Sequence, residues 1–282
     1  MKRFTVAPRG CPPVDAMVGI PRGSSATTKL TLHFVGFNAN MGPWEATKCA
    51  LWAAATRSIV VMCELPGFSC HRDPLPTDIR HDLLKRDPSS WASLTLSYLI
   101  SAAEKAEVPP PDEIAVLAYS TGCSLAAACL PQIQRAYPVT SLTLVEPVSL
   151  VDRSLVHLAV NNVTDLLRIV RTVPFNAANP WARLAVSRQM REPSVHFSLP
   201  DFWALITMLA SDDTRVRLDE IDLPTTNLAR GDMSKLCVGS EFTRLDERLG
   251  VRGISGTTAR IAGLGHQFWH CVPAVDAFVR AL

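Results

Sequence analysis

The run Ile114-Ala115-Val116-Leu117-Ala118-Tyr119-Ser120-Thr121-Gly122-Cys123-Ser124-Leu125-Ala126-Ala127-Ala128 narrows the choice of fold more than any other stretch of the chain. Its apolar first half reads as a buried strand, and its alanine-rich second half as a helix lying close to a sheet. The joint between them has no room for bulk, because a large side chain beside the apex would strike the strand or the helix. Ala118 and Gly122 meet that condition. Ser120 then stands at the apex with its hydroxyl lifted above the sheet edge. The Thr121 N–H lies at a helix N-terminus, where negative charge is favoured.

The surrounding chain supplies the sheet that such a turn needs. Leu30-Thr31-Leu32-His33-Phe34-Val35 and Ser58-Ile59-Val60-Val61-Met62-Cys63 read as strands, the second apolar throughout, as expected for a strand covered on both faces. Between them a loop with two glycines leads into a helix from Trp44 to about Thr56. A helix capped by Ser89 or Ser90 and stopped by Pro109-Pro110-Pro111 precedes the central stretch, and the strand Ser141-Leu142-Thr143-Leu144-Val145 follows it. Residues 1 to 28, rich in Pro, Gly, Ser and Thr, leave space for at most one short edge strand. Cys70 to Pro88 reads as a surface loop. Strand and helix alternate with short joints, which predicts an α/β fold with a doubly wound, mostly parallel sheet.

From about Leu150 to Asp213 that alternation lapses. Leu155, Leu158, Val163, Leu166, Leu167 and Val170 recur at helical spacing, and a further helix is expected over Phe202 to Leu209. The reading is a core of residues 1–149 and 214–282 interrupted by a helical lid over 150–213. Most of the lid's aromatic residues are expected to form its own small core. Trp181, Phe202 and Trp203 are the candidates for a pocket roof. After the insertion, a strand at Thr225 to Gly231, a helix near Glu241 to Leu249, a strand at Thr258 to Ile261 and a last helix from Pro273 resume the pattern.

Composition excludes several classes. A 282-residue chain that is 48% hydrophobic and 19% charged, with a net charge of +2, offers no electrostatic reason to bind nucleic acid. The first ten residues lack the apolar core of a secretory signal, and no run approaches the length of a membrane span, so the expectation is a cytoplasmic protein. The eight cysteines show no metal-binding or redox spacing and are expected to be free thiols. His266 and His270 are four apart, but His-Gln-Phe-Trp-His lacks the glutamate of a zincin helix, so no metal and no cofactor is expected.

Four motifs, in order, resemble the α/β-hydrolase superfamily from about residue 30 to the end. These are His33-Phe34-Val35-Gly36-Phe37, Glu64-Leu65-Pro66-Gly67-Phe68-Ser69, Ala118-Tyr119-Ser120-Thr121-Gly122 and Gly263-Leu264-Gly265-His266-Gln267-Phe268. Val35 and Ala118 depart from the family's more usual His and Gly. The resemblance implies that Ser120 is the nucleophile and His266 its base, with oxyanion donors from the N–H groups of Thr121 and Phe37. It also implies a carboxylate between Ser120 and His266 in the chain.

Two carboxylates compete for that place. In most of the superfamily the acid lies three residues beyond the glycine that here is Gly231, and that position holds Ser234, which cannot serve. Asp232 is two positions early. Glu146 ends the strand after the nucleophile helix, and Val145-Glu146-Pro147 resembles the arrangement in zearalenone-type lactonases and some haloalkane dehalogenases. Glu146 is the preferred acid and Asp232 the alternative.

A serine hydroxyl attacks well only when an adjacent imidazole accepts its proton. The expectation is therefore a serine hydrolase acting on a small hydrophobic ester or lactone through an acyl-enzyme. The same residues would also serve a thioester, an amide or a carbon–carbon bond. The alternative from another class is a catalytically silent binding protein, for which Val35, Ala118 and Ser234 would be signs of decay.

Overall fold

The computed structural model describes residues 1–21, 28–189, 192 and 194–282, with the side chains of Trp181, Val186, Ser187 and Gln189 outside the description. Eight strands form one sheet: β1 Lys2–Val6, β2 Val14–Gly19, β3 Lys29–Phe34, β4 Ile59–Cys63, β5 Glu113–Tyr119, β6 Val139–Val145, β7 Thr225–Gly231 and β8 Thr258–Ile261. Their spatial order is β1-β2-β4-β3-β5-β6-β7-β8. The six strands from β3 onward run parallel, and β1 and β2 join antiparallel at one edge. All five residues of β4 are buried, as its unbroken apolar sequence requires.

Helices α1 Pro43–Thr56, α2 Thr77–Leu84, α3 Ser89–Lys105 and α4 Thr121–Ala136 connect the first strands. After β6 come α5 Leu155–Leu167, a 3₁₀ turn Arg168–Thr172, α6 Val173–Ala178, α7 Pro180–Gln189 and α8 Leu199–Leu209. The chain then continues through α9 Asp213–Glu220, α10 Gly239–Val251, a 3₁₀ turn His266–His270 and α11 Val272–Ala281. Helix α1 packs with α11, and α3 packs with α4. None of the described helices is long and apolar enough to cross a membrane. Among the described residues no disulfide joins the cysteines.

Four expectations are corrected. The amino-terminal stretch holds two strands rather than at most one. The Cys11-Pro12-Pro13 breaker turns the chain back, so that Lys2 to Val6 pair with Val18 to Val14. The segment Cys70 to Pro88, expected as a surface loop, contains α2, whose Ile79 and Leu83, four apart, are buried while its other residues are polar apart from the exposed Leu84. Two apolar residues are too weak a period to see in sequence, and packing against α8 makes the helix. Asp87, not a serine, serves the start of α3, accepting from the Ser89 N–H at 2.9 Å and the Ser89 hydroxyl at 2.6 Å.

The fourth concerns the insertion, whose described residues form no separate core of the expected kind. Leu158, Ala204, Leu205, Met208 and Leu209 belong to the main core, whereas Phe175, Phe197 and Trp203 are 51%, 41% and 55% exposed. Polar clamps hold this segment. Buried Asp201 accepts from Arg80 Nε at 2.6 Å, and buried Asp165 accepts the Lys235 and Leu236 N–H groups, each at 2.8 Å. The Asn176 amide donates to the His270 carbonyl at 2.9 Å and accepts the Val272 N–H at 3.1 Å.

Candidate active site

Ser120 lies between β5 and α4 with φ 55° and ψ −119°, a conformation that costs a non-glycine residue about 1–3 kcal/mol and persists only under external constraint. The constraint is visible next door. A Cβ on Gly122 would come within 2.1 Å of the Phe34 carbonyl oxygen, so α4 approaches the end of β3 as closely as a backbone can. The Ser120 N–H donates to Val145 O at 2.9 Å, which ties the turn to the neighbouring strand end.

Glu146 follows Val145 at that end. Because Tyr119 and Val145 are register partners, Ser120 and Glu146 leave adjacent strands at the same level of the sheet. Glu146 also has a positive φ, 55°, and its N–H donates to Ala229 O at 2.8 Å. Its carboxylate is fully buried, an arrangement that is stable only if its oxygens find donors. Oε1 accepts the Gly231 N–H, and Oε2 accepts the Ser234 hydroxyl at 2.6 Å.

The third side chain arrives from the loop after β8. A Cβ on Gly231 would come within 2.4 Å of Leu264 O and 2.5 Å of Gly265 O, so the glycine at the end of β7 lets this loop close down. His266 Nε2 is then 2.8 Å from Ser120 Oγ, and its Nδ1 is 3.0 Å from Glu146 Oε2. Tyr119 stacks on the imidazole, with ring centroids 5.5 Å apart, and its hydroxyl donates to the His266 carbonyl at 3.2 Å. Ser120, His266 and Glu146 thus form one buried hydrogen-bonded chain. Asp232 is exposed and accepts the Gly263 N–H at 2.9 Å, away from the imidazole.

Ser120 and His266 open onto a cavity of about 420 Å³ that Phe37 and Thr121 also line. Thr121 is the first residue of α4, so its N–H has no intrahelical acceptor. Phe37 belongs to the loop after β3, and its ring packs against Phe68, Phe197 and Phe202 with centroids 6.2–6.4 Å apart. The far wall is apolar: Leu158, Leu166, Phe202, Leu205, Ile206 and Leu209. Of the three residues expected to roof the pocket, Phe202 lines it. Trp203 does not, being 55% exposed on α8, and the Trp181 side chain is outside the description.

A second cavity, of about 760 Å³ and lined in part by Trp44, adjoins the first through Asn38, Ala39, Glu45, Ile169 and His270. Beneath this junction Lys48 Nζ and Glu45 Oε1 form a buried ion pair at 2.6 Å. Burial, followed by the Lys48 and His266 charges, holds the His270 imidazole well below its usual pKa. Burial and Lys48 likewise bring His33 down to about 3. Among the described residues no group of three His, Cys, Asp or Glu side chains is placed to hold a metal ion.

Several solved structures share this architecture at low sequence identity. The thioesterase domain from the curacin biosynthetic pathway is 17% identical, with a TM-score of 0.59 covering 99% of each chain. A thermophilic esterase from Thermogutta terrifontis is 15% identical, with a TM-score of 0.59 over 100% of this chain and 97% of that one. Carboxyl esterase 2 from the mycorrhizal fungus Tuber melanosporum is 16% identical, with a TM-score of 0.55 over 99% of this chain and 84% of that one. The chain has the α/β-hydrolase fold. No protein-family model and no curated protein matches the sequence.

Within the α/β-hydrolase fold, two features of the site escaped the sequence reading. Ser234 stands three residues beyond Gly231, where the resemblance leads one to expect the acid. Read from sequence it is only a missing carboxylate; in space it donates to the carboxylate that reaches the imidazole from the next strand, and it accepts the Cys237 N–H at 3.1 Å. Tyr119 stands out in the sequence only as the residue between Ala118 and Ser120. Neither contact has a local signal, because each joins residues more than eighty positions apart.

Proposed function

We propose that the protein is a serine hydrolase that cleaves the carboxylic ester or lactone bond of a hydrophobic substrate through an acyl-enzyme. The observation that carries this reading is the continuous chain from Ser120 Oγ through His266 to Glu146 at the floor of an apolar cavity. In the proposed reaction Ser120 Oγ attacks the carbonyl carbon as His266 Nε2 takes its proton. Glu146 orients the ring and stabilises the imidazolium that forms. The amides of Thr121 and Phe37 hold the oxyanion, and removing one such donor raises the barrier by about 3 kcal/mol. His266 then gives the proton to the departing alkoxide oxygen. Water, deprotonated by His266 in turn, releases the acid and restores Ser120.

The cavity walls favour an apolar acyl group or ring, and the adjoining larger cavity offers space for a bulky second half. The segment over 150–213 would act as a cap that excludes water, with Leu158, Leu166 and Phe202 against the substrate. The reading is tested with a fluorophosphonate probe followed by short- and long-chain nitrophenyl esters, a macrolactone and an acyl thioester. Labelling that Ser120→Ala abolishes, with turnover greatest on a hydrophobic ester or lactone, is the expected result. Preference for the thioester would move the leaving group but keep the residues. No labelling of the folded protein would instead make it a binding protein.

A further inference from the structure

We propose that the outward face of α5 and the turn after it form a docking surface for an anionic phospholipid bilayer. The side chains carry the first part of the argument. At 100° per residue, Val156, Val160, Val163 and Leu167 fall within about 60° of one another on the helix. They are 71%, 56%, 56% and 69% exposed, and beyond the helix Val170 and Val173, which line the second cavity, are 64% and 59% exposed. Thirteen of the twenty-one exposed large apolar side chains among the described residues lie between Val156 and Trp203. Apolar side chains scattered singly over a surface need no explanation, but a contiguous strip marks an interaction face.

Charge identifies the partner. Between Ser154 and Gln189 the sequence holds four arginines, at 168, 171, 183 and 188, and one acid, Asp165. That acid is buried, accepts the Lys235 and Leu236 amides and pairs with Arg168 at 3.5 Å, which leaves the exposed Arg171, Arg183 and Arg188 to set the sign of this surface. This one stretch is more positive than the whole chain, whose net charge is +2. An apolar strip accompanied by arginine suits a surface that is apolar below and negative above, which describes an anionic bilayer interface. A second copy of the chain would instead bring two sets of arginines together.

The strip is also continuous with the site. Val163 belongs both to it and to the lining of the cavity that holds Ser120, and Ala159, Asn162 and Leu166 line that cavity from the adjoining flank of α5. A bilayer on this face would lie at the edge of the cavity wall. With thirteen residues, α5 is too short to cross a bilayer and would lie in its interface.

The test is cosedimentation of the full chain with vesicles of equal parts phosphatidylglycerol and phosphatidylcholine, and with vesicles of phosphatidylcholine alone. The expected result is binding to the anionic vesicles that weakens with salt and is much weaker on phosphatidylcholine. Val160→Asp combined with Leu167→Asp should lower the affinity at least about tenfold. Neither side chain lines the cavity, and an unchanged melting curve establishes that the variant is folded. Arg171→Gln, which leaves the apolar strip intact, should weaken anionic binding about fivefold and leave phosphatidylcholine unaffected. Absence of binding to anionic vesicles, or equal binding by the folded double variant, would overturn the proposal. So would a stable dimer in sedimentation equilibrium that the same two substitutions dissociate, since that assigns the face to a second copy.

Discussion

Strand β4 buries all five of its residues, whereas α5 buries only Leu158 and Asp165 of thirteen. The two belong to regions held by different means. In the sheet, hydrogen-bonded register places Ser120 beside Glu146 and brings the Gly231 amide onto the Glu146 carboxylate. In the insertion, short helices over 150–213 bury one narrow stripe each and are tied down by a few polar clamps, among them Arg80–Asp201. The Ser120–His266–Glu146 chain, whose proposed chemistry would tolerate little displacement, thus stands on the sheet. The apolar wall that would contact substrate is built on the region with fewer constraints.

Substitutions at the acid should separate the two regions most sharply. Glu146→Gln removes the partner of His266 Nδ1 and should lower kcat about 10⁴-fold with little change in KM, while Asp232→Asn should leave both near wild type. Steady-state kinetics on a nitrophenyl ester decides. The opposite pattern would put the acid on Asp232 and make the observed pairing irrelevant to turnover.

A smaller effect is expected from the clamp. Asp201→Ala leaves Arg80 and the Leu75 N–H without their shared acceptor, and since Arg80 is partly solvated the loss should be about 2–3 kcal/mol of stability. If the insertion loosens separately from the sheet, KM should rise more than kcat falls, and proteolysis should cut first within 150–213. Denaturant unfolding and limited proteolysis test both. Cleavage distributed over the whole chain would show that the two regions unfold together.

Ser234→Ala removes one of the hydrogen bonds to Glu146 and leaves the Gly231 amide and His266 in place. It should reduce kcat about tenfold, in line with a hydrogen bond to a charged group, and shift the acid limb of the pH–rate profile. A purely structural Ser234 would lower the melting temperature without moving that limb.

The gentlest test is of the sheet interior by pH. His33 is buried with its pKa brought down to about 3 from an ordinary value near 6.5. Above pH 6.5 it is neutral whether the chain is folded or not. Below that the unfolded chain takes up a proton that the folded chain refuses until near pH 3, so stability falls with pH across this window. The slope from this group is about 1.4 kcal/mol per pH unit. Chemical denaturation of wild type and His33→Leu between pH 4 and pH 7 should show the variant shallower by that amount. Equal slopes would mean that His33 protonates freely in the fold.

The alternation of strand and helix, the tight serine turn and the histidine loop were legible in the chain because each has a local cause. Apolar runs make strands, small residues permit close turns, and a glycine marks the place where backbone meets backbone. The two strands near the amino terminus and α2 were not legible, since their patterns are brief and depend on partners distant in sequence. The insertion was read as helical from its spacing, but which face it would bury depends on what lies beneath it. Phe202 and Trp203 are consecutive, yet one lines the cavity and the other is exposed to solvent.

By itself, the order of residues determined that a serine, a carboxylate and a histidine would be available at strand ends, because strand periodicity and turn size are properties of neighbours along the chain. Only tertiary structure decided between Glu146 and Asp232 as the partner of His266, and gave Ser234 a donor's position. Those outcomes depend on which backbone amides and hydroxyls surround a buried carboxylate once the sheet has assembled, and residues far apart in sequence supply them.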